Sequence, residues 1–246
     1  MAAVLTVERL SKSYSGVRAL EQVDVEVHEG EILGLVGPNG SGKTTLFNCV
    51  TGFVRPTSGR ALWRGREVTH LAPDQIARLG IVRTFQQKMV FPKATVRENL
   101  EMAWRGRRAG DREPPFGSCD ELLQFLGLTE MEEQVATDIP FGSARSLGLG
   151  LALAANPRLL LLDEPAAGLN QEETQELGTL IRRIRDLGIT LWVIEHNMPF
   201  IMSICERVVV LHAGQKIAEG EPAGVASHPE VISVFLGEKF ARSTAG

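Results

Sequence analysis

The sequence predicts an α/β fold in which a parallel sheet carries a phosphate-binding loop, next to an antiparallel β subdomain and an inserted helical subdomain. Three observations support this prediction. The stretch Gly37 to Thr44 fits the pattern G-x-x-x-x-G-K-[ST], which is typical of phosphate-binding loops. The apolar run Leu159 to Leu162 ends in two acidic residues, as expected of a buried parallel strand. Between residues 89 and 157 the apolar residues recur at helical spacing.

The first part of the chain shows the alternation that is typical of half-buried strands. Leu5 and Val7 alternate with polar neighbours, and so do the valines of the stretch Val23 to Val27. This period of two predicts antiparallel strands rather than helices. A turn between the two strands holds Tyr14, the only tyrosine of the chain. Its ring is expected either to stack on a nucleobase or to pack on the core, and the pattern favours neither role.

The phosphate-binding loop lies between a short apolar strand, Glu31 to Val36, and a helix from Thr45 to Thr51 that stops at Gly52. Glycines in such a loop let consecutive backbone N–H groups point at a phosphate, and the helix N-terminus adds partial positive charge. The ammonium group of Lys43 is expected to reach the β- and γ-phosphates, and the Thr44 hydroxyl to ligate Mg²⁺. This setting disfavours the alternative of a glycine-rich turn without a ligand.

Short strands and helices are predicted to follow the loop. We predict strands over 61–63 and 80–85, and helices over 73–79, 96–104, 120–126 and 146–155. The change to helical patterns predicts an inserted helical subdomain over residues 88–157. The core and its antiparallel β subdomain would then comprise residues 1–87 and 158–246.

Acidic residues end a strand in the second half of the chain. Asp163 and Glu164 follow the buried run, at the carboxyl end where open α/β sheets place their active sites. There Asp163 is expected to hold Mg²⁺ and Glu164 to polarise the attacking water. A second buried strand, Thr190 to Ile194, leads to Glu195 and His196. A helix over 171–187 and a hairpin over 208–220 complete the predicted core.

Composition limits the class of protein. The chain has 246 residues with 43% hydrophobic residues, which is enough for a full core. A formal net charge of -4 argues against a general nucleic-acid binder. The three cysteines are widely spaced, so we expect neither a disulfide framework nor a zinc site. No run of 18 apolar residues occurs, so we expect neither a membrane-spanning segment nor a secretion signal.

Together these residues resemble the ATP-binding subunit of an ABC transporter, over nearly the whole chain. The most similar subgroup is the one that serves branched-chain amino acid uptake. The stretches that carry this likeness are Phe47 to Phe53, Arg83 to Gln86, Asp163 to Asn170 and His228 to Val231. The resemblance implies a P-loop NTPase core of the RecA-like type, dependent on ATP and Mg²⁺.

The resemblance also implies a role for each matching position. Tyr14 would stack on adenine, and Gln86 would contact Mg²⁺ and sense the membrane partner. Asp163 would be the metal-binding acid, Glu164 the catalytic base and His196 the contact to the γ-phosphate. The implied nucleotide-binding loop comprises Gly37, Pro38, Asn39, Gly40, Ser41, Gly42, Lys43, Thr44 and Thr45, and the implied D-loop includes Gly168, Leu169 and Asn170.

One motif departs from the family pattern. The family signature, usually Leu-Ser-Gly-Gly-Gln or Leu-Ser-Tyr-Gly-Gln, aligns here with Ile139, Pro140, Phe141, Gly142 and Ser143. The serine hydroxyl and the glutamine amide are missing, although the glycine remains. In this family two ATPase subunits close head to tail, and each signature binds the γ-phosphate held by the opposite loop. We therefore expect a complete nucleotide-binding loop on this chain and a weakened site where its signature completes the partner.

The resemblance implies several partners and a location. They are transmembrane permease subunits, a second ATP-binding subunit in a homodimer or heterodimer and, indirectly, a periplasmic or lipid-anchored solute-binding protein. The chain would lie peripherally on the cytoplasmic face of the cell membrane and energise import of branched-chain or other hydrophobic amino acids. Two alternatives are the ATPase of a related exporter of the lipopolysaccharide-export type and a soluble ABC ATPase without a transport role. The second would typically show two phosphate-binding loops or a long coiled-coil insertion, and the sequence has neither.

Overall fold

The computed structural model describes residues 2–84, 90–106 and 113–235, and it confirms the predicted α/β fold. Two sheets are present in these residues, one four-stranded and one six-stranded. The strands are β1 (Ala3–Tyr14), β2 (Val17–His28), β3 (Ile32–Val36), β4 (Ser58–Trp63), β5 (Arg66–Glu67), β6 (Ile81–Arg83), β7 (Leu159–Asp163), β8 (Thr190–Ile194), β9 (Arg207–His212) and β10 (Gln215–Gly220). The helices are α1 (Lys43–Val50), α2 (Pro73–Arg78), α3 (Val96–Arg105), α4 (Cys119–Leu126), α5 (Phe141–Ala154), α6 (Gln171–Asp186), α7 (Met198–Ile204) and α8 (Pro222–Ala226), and a last helix covers residues 229–235.

The six-stranded sheet has the order β10-β9-β3-β8-β7-β6, and its strands are parallel except for β10. Every residue of β3, β7 and β8 is buried, which explains why these strands read as continuous apolar runs. The three strands are neighbours in the sheet, so the chain segments that leave their carboxyl ends meet at one edge. This arrangement brings together sequence signals that lie more than a hundred residues apart.

The four-stranded antiparallel sheet has the order β2-β1-β4-β5. Val7 pairs with Val25 and Leu5 with Val27, so the alternating apolar residues of β1 and β2 face one side. That side packs on α1, whose Leu46 is fully buried. The same hydrophobic cluster includes residues of β3 and β8, so α1 lies between the two sheets.

Helices α3, α4 and α5 pack together as a helical lobe, which follows β6 and precedes β7 along the chain. Thr95 caps α3 reciprocally with Glu98, and Ser118 caps α4, so both helices begin as the polar residues before them indicate. Helix α5 begins at Phe141, whereas the sequence pattern predicted a start at Ser146. The extra turn has no apolar periodicity and no side-chain cap, because Pro140 occupies its N-cap position.

Helices α7 and α8 were not predicted from the sequence. Both are short, and both begin with proline in the first turn, where its missing N–H has no helical partner to lose. Within the described ranges, no helix combines the length and the apolar character needed to cross a membrane.

Candidate active site

The phosphate-binding loop connects β3 to α1 in a conformation that only glycine adopts easily. Gly37, Gly40 and Gly42 have φ values of 154°, 80° and 106°. A Cβ atom on Gly37 would lie 2.1 Å from the carbonyl oxygen of Leu211, and one on Gly42 would lie 2.6 Å from that of Ala19. The loop is therefore packed tightly on β9 and β2 at two of its glycines, while Gly40 lies at the exposed tip.

The ammonium group of Lys43 lies inside this loop. Its Nζ donates to the carbonyl oxygens of Gly37 at 2.6 Å and of Pro38 at 2.9 Å, and the residue is only 6% exposed. Ser41 is also buried, and its hydroxyl has no hydrogen-bond partner within the described part of the chain. A buried cation and an unsatisfied hydroxyl in a glycine cradle suit a phosphate chain.

The remaining residues of the loop lie at its surface or at the start of the helix. Asn39 and Thr44 are exposed, and Thr45 is partly exposed. Helix α1 has no side-chain N-cap, so its first N–H groups are not satisfied by a capping side chain. These groups and the Thr44 hydroxyl add to the Lys43 ammonium and the Ser41 hydroxyl as polar atoms that the loop offers to a ligand.

Asp163 ends β7 and is only 5% exposed. Its Oδ2 accepts a hydrogen bond of 2.5 Å from Arg83, while its Oδ1 is buried without a partner among the described residues. The sequence did not assign Arg83 a role; the available signal was a charged residue within the strand predicted over 80–85, which in the structure ends at Arg83. An anionic oxygen that is buried and unsatisfied is suited to a metal-bound water.

Glu164 follows directly and has a strained backbone. Its φ is 47°, a left-handed value that is uncommon outside glycine, and its N–H donates to the carbonyl oxygen of Ile194 at 3.0 Å. Strain of this kind costs about 1–3 kcal/mol and concentrates at functional sites. The turn directs the chain away from β7 at the point where a catalytic carboxylate is expected.

His196 follows β8, which pairs with β7 in parallel. Its Nδ1 lies 3.8 Å from Oε1 of Glu164, and the imidazole side chain is 52% exposed. Since Asp163 pairs with Ile194 in the register of the two strands, the acids and the histidine leave the sheet side by side. The sheet therefore brings together the acid pair and the histidine that the sequence singled out.

Glu195 is a further residue of this site to which the sequence pattern assigned no role. It is fully buried, and its Oε1 accepts a hydrogen bond of 2.8 Å from the backbone N–H of Ala166. Its Oε2 lies 3.8 Å from Nδ1 of His196. Burial raises the pKa of this carboxyl group above its ordinary value. An acid at the end of an otherwise apolar strand was the only available signal.

Tyr14 ends β1 and is 43% exposed, so its ring is not packed in the core. The ammonium group of Lys12 lies 4.8 Å from the ring centroid. An exposed aromatic ring remains available for stacking on a base. Gln86 lies outside the described residues.

The stretch that aligns with the family signature forms the first turn of α5, and it contacts the segment expected to be the D-loop. The N–H of Gly142 donates to Oε1 of Glu173 at 3.2 Å, and the guanidinium group of Arg145 donates to the carbonyl oxygen of Ala167 at 2.9 Å. A Cβ atom on Gly168 would lie 3.2 Å from the ring of Phe141. The two segments are thus fastened to each other within the chain. Ser143 lies in this turn, Asn170 caps α6 through its side chain, and Leu169 lies between Gly168 and that cap.

Two family models match the sequence. One is described as "ABC transporter" and matches residues 20–167. The other is described as "Branched-chain amino acid ATP-binding cassette transporter" and matches residues 215–241.

Similar proteins agree with these models. The chain is 38% identical to the high-affinity branched-chain amino acid transport ATP-binding protein LivG of Escherichia coli, with 96% of this chain and 98% of LivG covered. It is 33% identical to the lipopolysaccharide export system ATP-binding protein LptB of Haemophilus influenzae, with 97% and 99% covered. The fold is similar to the ADP conformation of MJ1267, an ATP-binding cassette of an ABC transporter, at a TM-score of 0.87 and 29% identity, with 96% of this chain and 100% of MJ1267 covered.

Proposed function

This chain belongs to the ABC transporter family as an ATP-binding subunit that hydrolyses ATP, and we propose that it energises the import of branched-chain amino acids. The observation that carries the substrate class is the likeness to LivG, supported by the match of residues 215–241 to the branched-chain amino acid model. The lower identity to LptB, 33% against 38%, makes the exporter the weaker candidate.

The proposed reaction is the in-line attack of water on the γ-phosphate of ATP. The carboxylate of Glu164 removes the proton of the attacking water, and His196, 3.8 Å away, donates a hydrogen bond to the γ-phosphate. The ammonium group of Lys43 balances the charge that develops on the phosphate oxygens. Tyr14 stacks on the adenine, and the loop from Gly37 to Thr45 binds the phosphates.

The residues of this chain fit Mg²⁺, which when bound neutralises charge on the β- and γ-phosphate oxygens. Asp163 offers a buried carboxylate oxygen, and Thr44 offers an exposed hydroxyl at the start of α1. We assign both to the metal, together with Gln86. Magnesium keeps several of its waters in such sites, so few direct protein ligands are needed.

We further propose that the helical lobe, residues 88–157, contacts the permease subunits. A cleft of about 630 Å³ lies between this lobe and the core. Its walls include the exposed side chains of Phe91, Met102 and Phe141, which are typical of a surface that a partner covers. The chain would then lie peripherally on the cytoplasmic face of the membrane, and a solute-binding protein would act through the permease.

The proposed assembly contains a second, different ATP-binding subunit. Pro140 and Ser143 supply neither the hydroxyl nor the amide of the usual signature, so the site that this signature completes would lose one or two hydrogen bonds to phosphate. Each such bond to a charged group is worth about 1.5–3 kcal/mol. A homodimer would have this defect in both sites, whereas a heterodimer has it in one.

The test of the catalytic assignment is Glu164→Gln. We expect hydrolysis of Mg-ATP by the transporter complex to fall by about 10²–10⁴-fold, because the base is lost, while binding of a fluorescent ATP analogue is retained. Glu172→Gln, on the exposed surface of α6, is the matched control. Hydrolysis near the wild-type rate in Glu164→Gln would refute the assignment.

The same variant tests the substrate class in the cells that produce the protein. We expect Glu164→Gln to abolish ATP-dependent uptake of radiolabelled leucine, isoleucine and valine. Suppose that the complex with Glu164→Gln no longer hydrolyses ATP, yet cells that carry only this variant take up all three amino acids normally. That result would exclude the importer and leave the exporter.

A further inference from the structure

Arg83 lies at the end of β6, beside β7. Its backbone pairs with Leu161, two residues before Asp163, so its side chain can extend along the strand to the acid. The side chain is only 5% exposed, and its guanidinium group donates charge-assisted hydrogen bonds to two side chains of the described residues. One goes to Oδ2 of Asp163 at 2.5 Å, and the other to Oδ1 of Asn48 at 2.7 Å.

The two acceptors belong to the two elements that carry the proposed metal ligands. Asn48 lies on α1, one helical turn after Thr44, and Asp163 ends β7. The guanidinium also lies over the ring of Phe47, at 5.6 Å from its centroid. A single planar group therefore links the helix of the hydroxyl ligand to the strand of the carboxylate ligand.

This contact leaves the two oxygens of Asp163 in different situations. Oδ2 is taken by Arg83, and Oδ1 is buried without a partner in the described residues. A guanidinium group stays charged at all relevant pH values and binds in a fixed planar geometry. It therefore restricts rotation of the carboxylate and leaves one particular oxygen for a ligand.

We propose that Arg83 is a positioning residue for Mg²⁺: it holds Asp163 and α1 at a fixed separation so that Oδ1 meets a metal-bound water. The role rests on the proposed function of Asp163 and Thr44. An opposing effect is electrostatic, because a cation beside Asp163 repels a second cation. If repulsion dominated, removal of the arginine would strengthen Mg²⁺ binding.

The test uses Arg83→Lys, which keeps the charge but cannot reproduce two bonds in the planar fork geometry. The measurement is the Mg²⁺ concentration that half-saturates binding of a fluorescent ATP analogue to the purified chain. We expect it to rise about tenfold, the lower end of the range for lost partners of metal ligands. Binding of the analogue in excess EDTA is expected to stay within about twofold of wild type, because the phosphate loop is untouched.

Asn48→Ala is the second variant. It removes the hydrogen bond from Arg83 to α1 and keeps both charges of the pair of Arg83 and Asp163. We expect the half-saturating Mg²⁺ concentration to rise in Asn48→Ala as well, but by less than in Arg83→Lys. An unchanged or lower half-saturating Mg²⁺ concentration in Arg83→Lys, or in Asn48→Ala if Arg83→Lys does not fold, would overturn the proposal.

Arg207→Lys is the matched control. Arg207 is another arginine with a largely buried side chain, 18% exposed. It is paired with Glu31 at 2.7 Å and begins β9, at the opposite end of the sheet's strands. The variant Arg207→Lys should lower the melting temperature and leave the half-saturating Mg²⁺ concentration unchanged. Asp163→Asn separates the two levels of inference: if it binds Mg²⁺ as wild type does, the metal assignment itself fails, whatever the Arg83 variants show.

Discussion

At the scale of single residues, the site depends on acids in very different surroundings. Glu164 is partly exposed, with 23% of its side chain accessible, while Glu195, on the neighbouring strand, is fully buried. Burial raises the pKa of Glu195, although it accepts a hydrogen bond from the N–H of Ala166. One carboxylate is thus accessible to water and substrate, and the other joins the end of β8 to the turn after β7.

The buried acid has a consequence for stability that depends on pH. Because its pKa is raised in the folded state, the folded chain binds this proton more readily than the unfolded chain. Stability therefore falls as pH rises above about 4.3, the ordinary glutamic acid pKa. We expect Glu195→Gln, which avoids the charge, to raise the melting temperature at pH 7.5, where each kcal/mol corresponds to about 2–4 °C. The gain should shrink as the pH approaches 4.5.

Differential scanning calorimetry of the wild type and of Glu195→Gln at several pH values measures this difference in melting temperature. Glu176→Gln on the exposed surface of α6 is the control, because it makes the same chemical change without burial. Both oxygens of Glu195 accept from backbone N–H groups, those of Ala166 and His196, and glutamine can accept only one of these hydrogen bonds. A lower melting temperature for Glu195→Gln at pH 7.5 would show that the two accepted hydrogen bonds outweigh the cost of burying the charge, contrary to expectation.

At the scale of elements, helix α5 shows why a helix can contain glycines. Its sequence has glycines at 148 and 150, each of which lowers helix stability by about 0.5–1 kcal/mol relative to alanine. In the structure the two glycines have different surroundings. A Cβ atom on Gly150 would lie 2.4 Å from Leu126 and 2.8 Å from Leu100, whereas one on Gly148 would meet nothing within 4 Å. Gly150 therefore lets α5 pack closely on α3 and α4.

The two glycines form a matched pair for mutation. We expect Gly150→Ala to lower the free energy of unfolding by about 1–3 kcal/mol, because Leu100 and Leu126 are buried and have little room to move. Gly148→Ala should raise it by about 0.5–1 kcal/mol through helix propensity alone. Urea denaturation of both variants measures the difference. Equal effects would mean that the helical lobe adapts to an added methyl group at no cost.

At the scale of the whole molecule, the surface formed by the start of α5 and the segment before α6, the proposed signature and D-loop, bears on the proposed asymmetry. One carboxylate, that of Glu173, accepts from the N–H of Gly142 and also from the N–H of Asn170. A negative charge therefore lies at the start of α5, where a partner's phosphate would approach. Pro140 supplies no side-chain cap there. Both features weaken the proposed contribution of this chain to a partner's site.

Restoring the usual signature residues tests the asymmetry. We expect Pro140→Ser combined with Ser143→Gln to raise ATP hydrolysis of the assembled transporter about tenfold, if one hydrogen bond to phosphate is regained. For the purified chain alone, the specific rate should begin to rise with protein concentration, since two copies could then complete each other. Adding Glu164→Gln should remove this rise for the chain alone, because Glu164 is the proposed base in both sites of a pair of identical copies. Unchanged hydrolysis by the transporter would contradict the proposed weakness of this signature.

Most of the architecture follows from local patterns. The buried runs at 159–162 and 190–194 became neighbouring strands, the alternating stretch at 23–27 became an antiparallel strand, and the phosphate-binding loop lies between a strand and a helix. These predictions succeed because period, length and glycine content have strong local causes. The start of α5 was wrong by five residues, from 146 to 141, because its first turn has neither a capping side chain nor apolar periodicity.

The sequence by itself determined the class of the fold, the glycine-rich loop between β3 and α1 and the acid pair at the end of β7, because each arises from adjacent residues with a strong local signal. Only the tertiary structure decided what Arg83 and Glu195 contact. Their partners, Asn48 and Ala166, lie 35 and 29 residues away along the chain. Contacts of that range depend on the strand order and register of the parallel sheet, and no local pattern in the sequence encodes them.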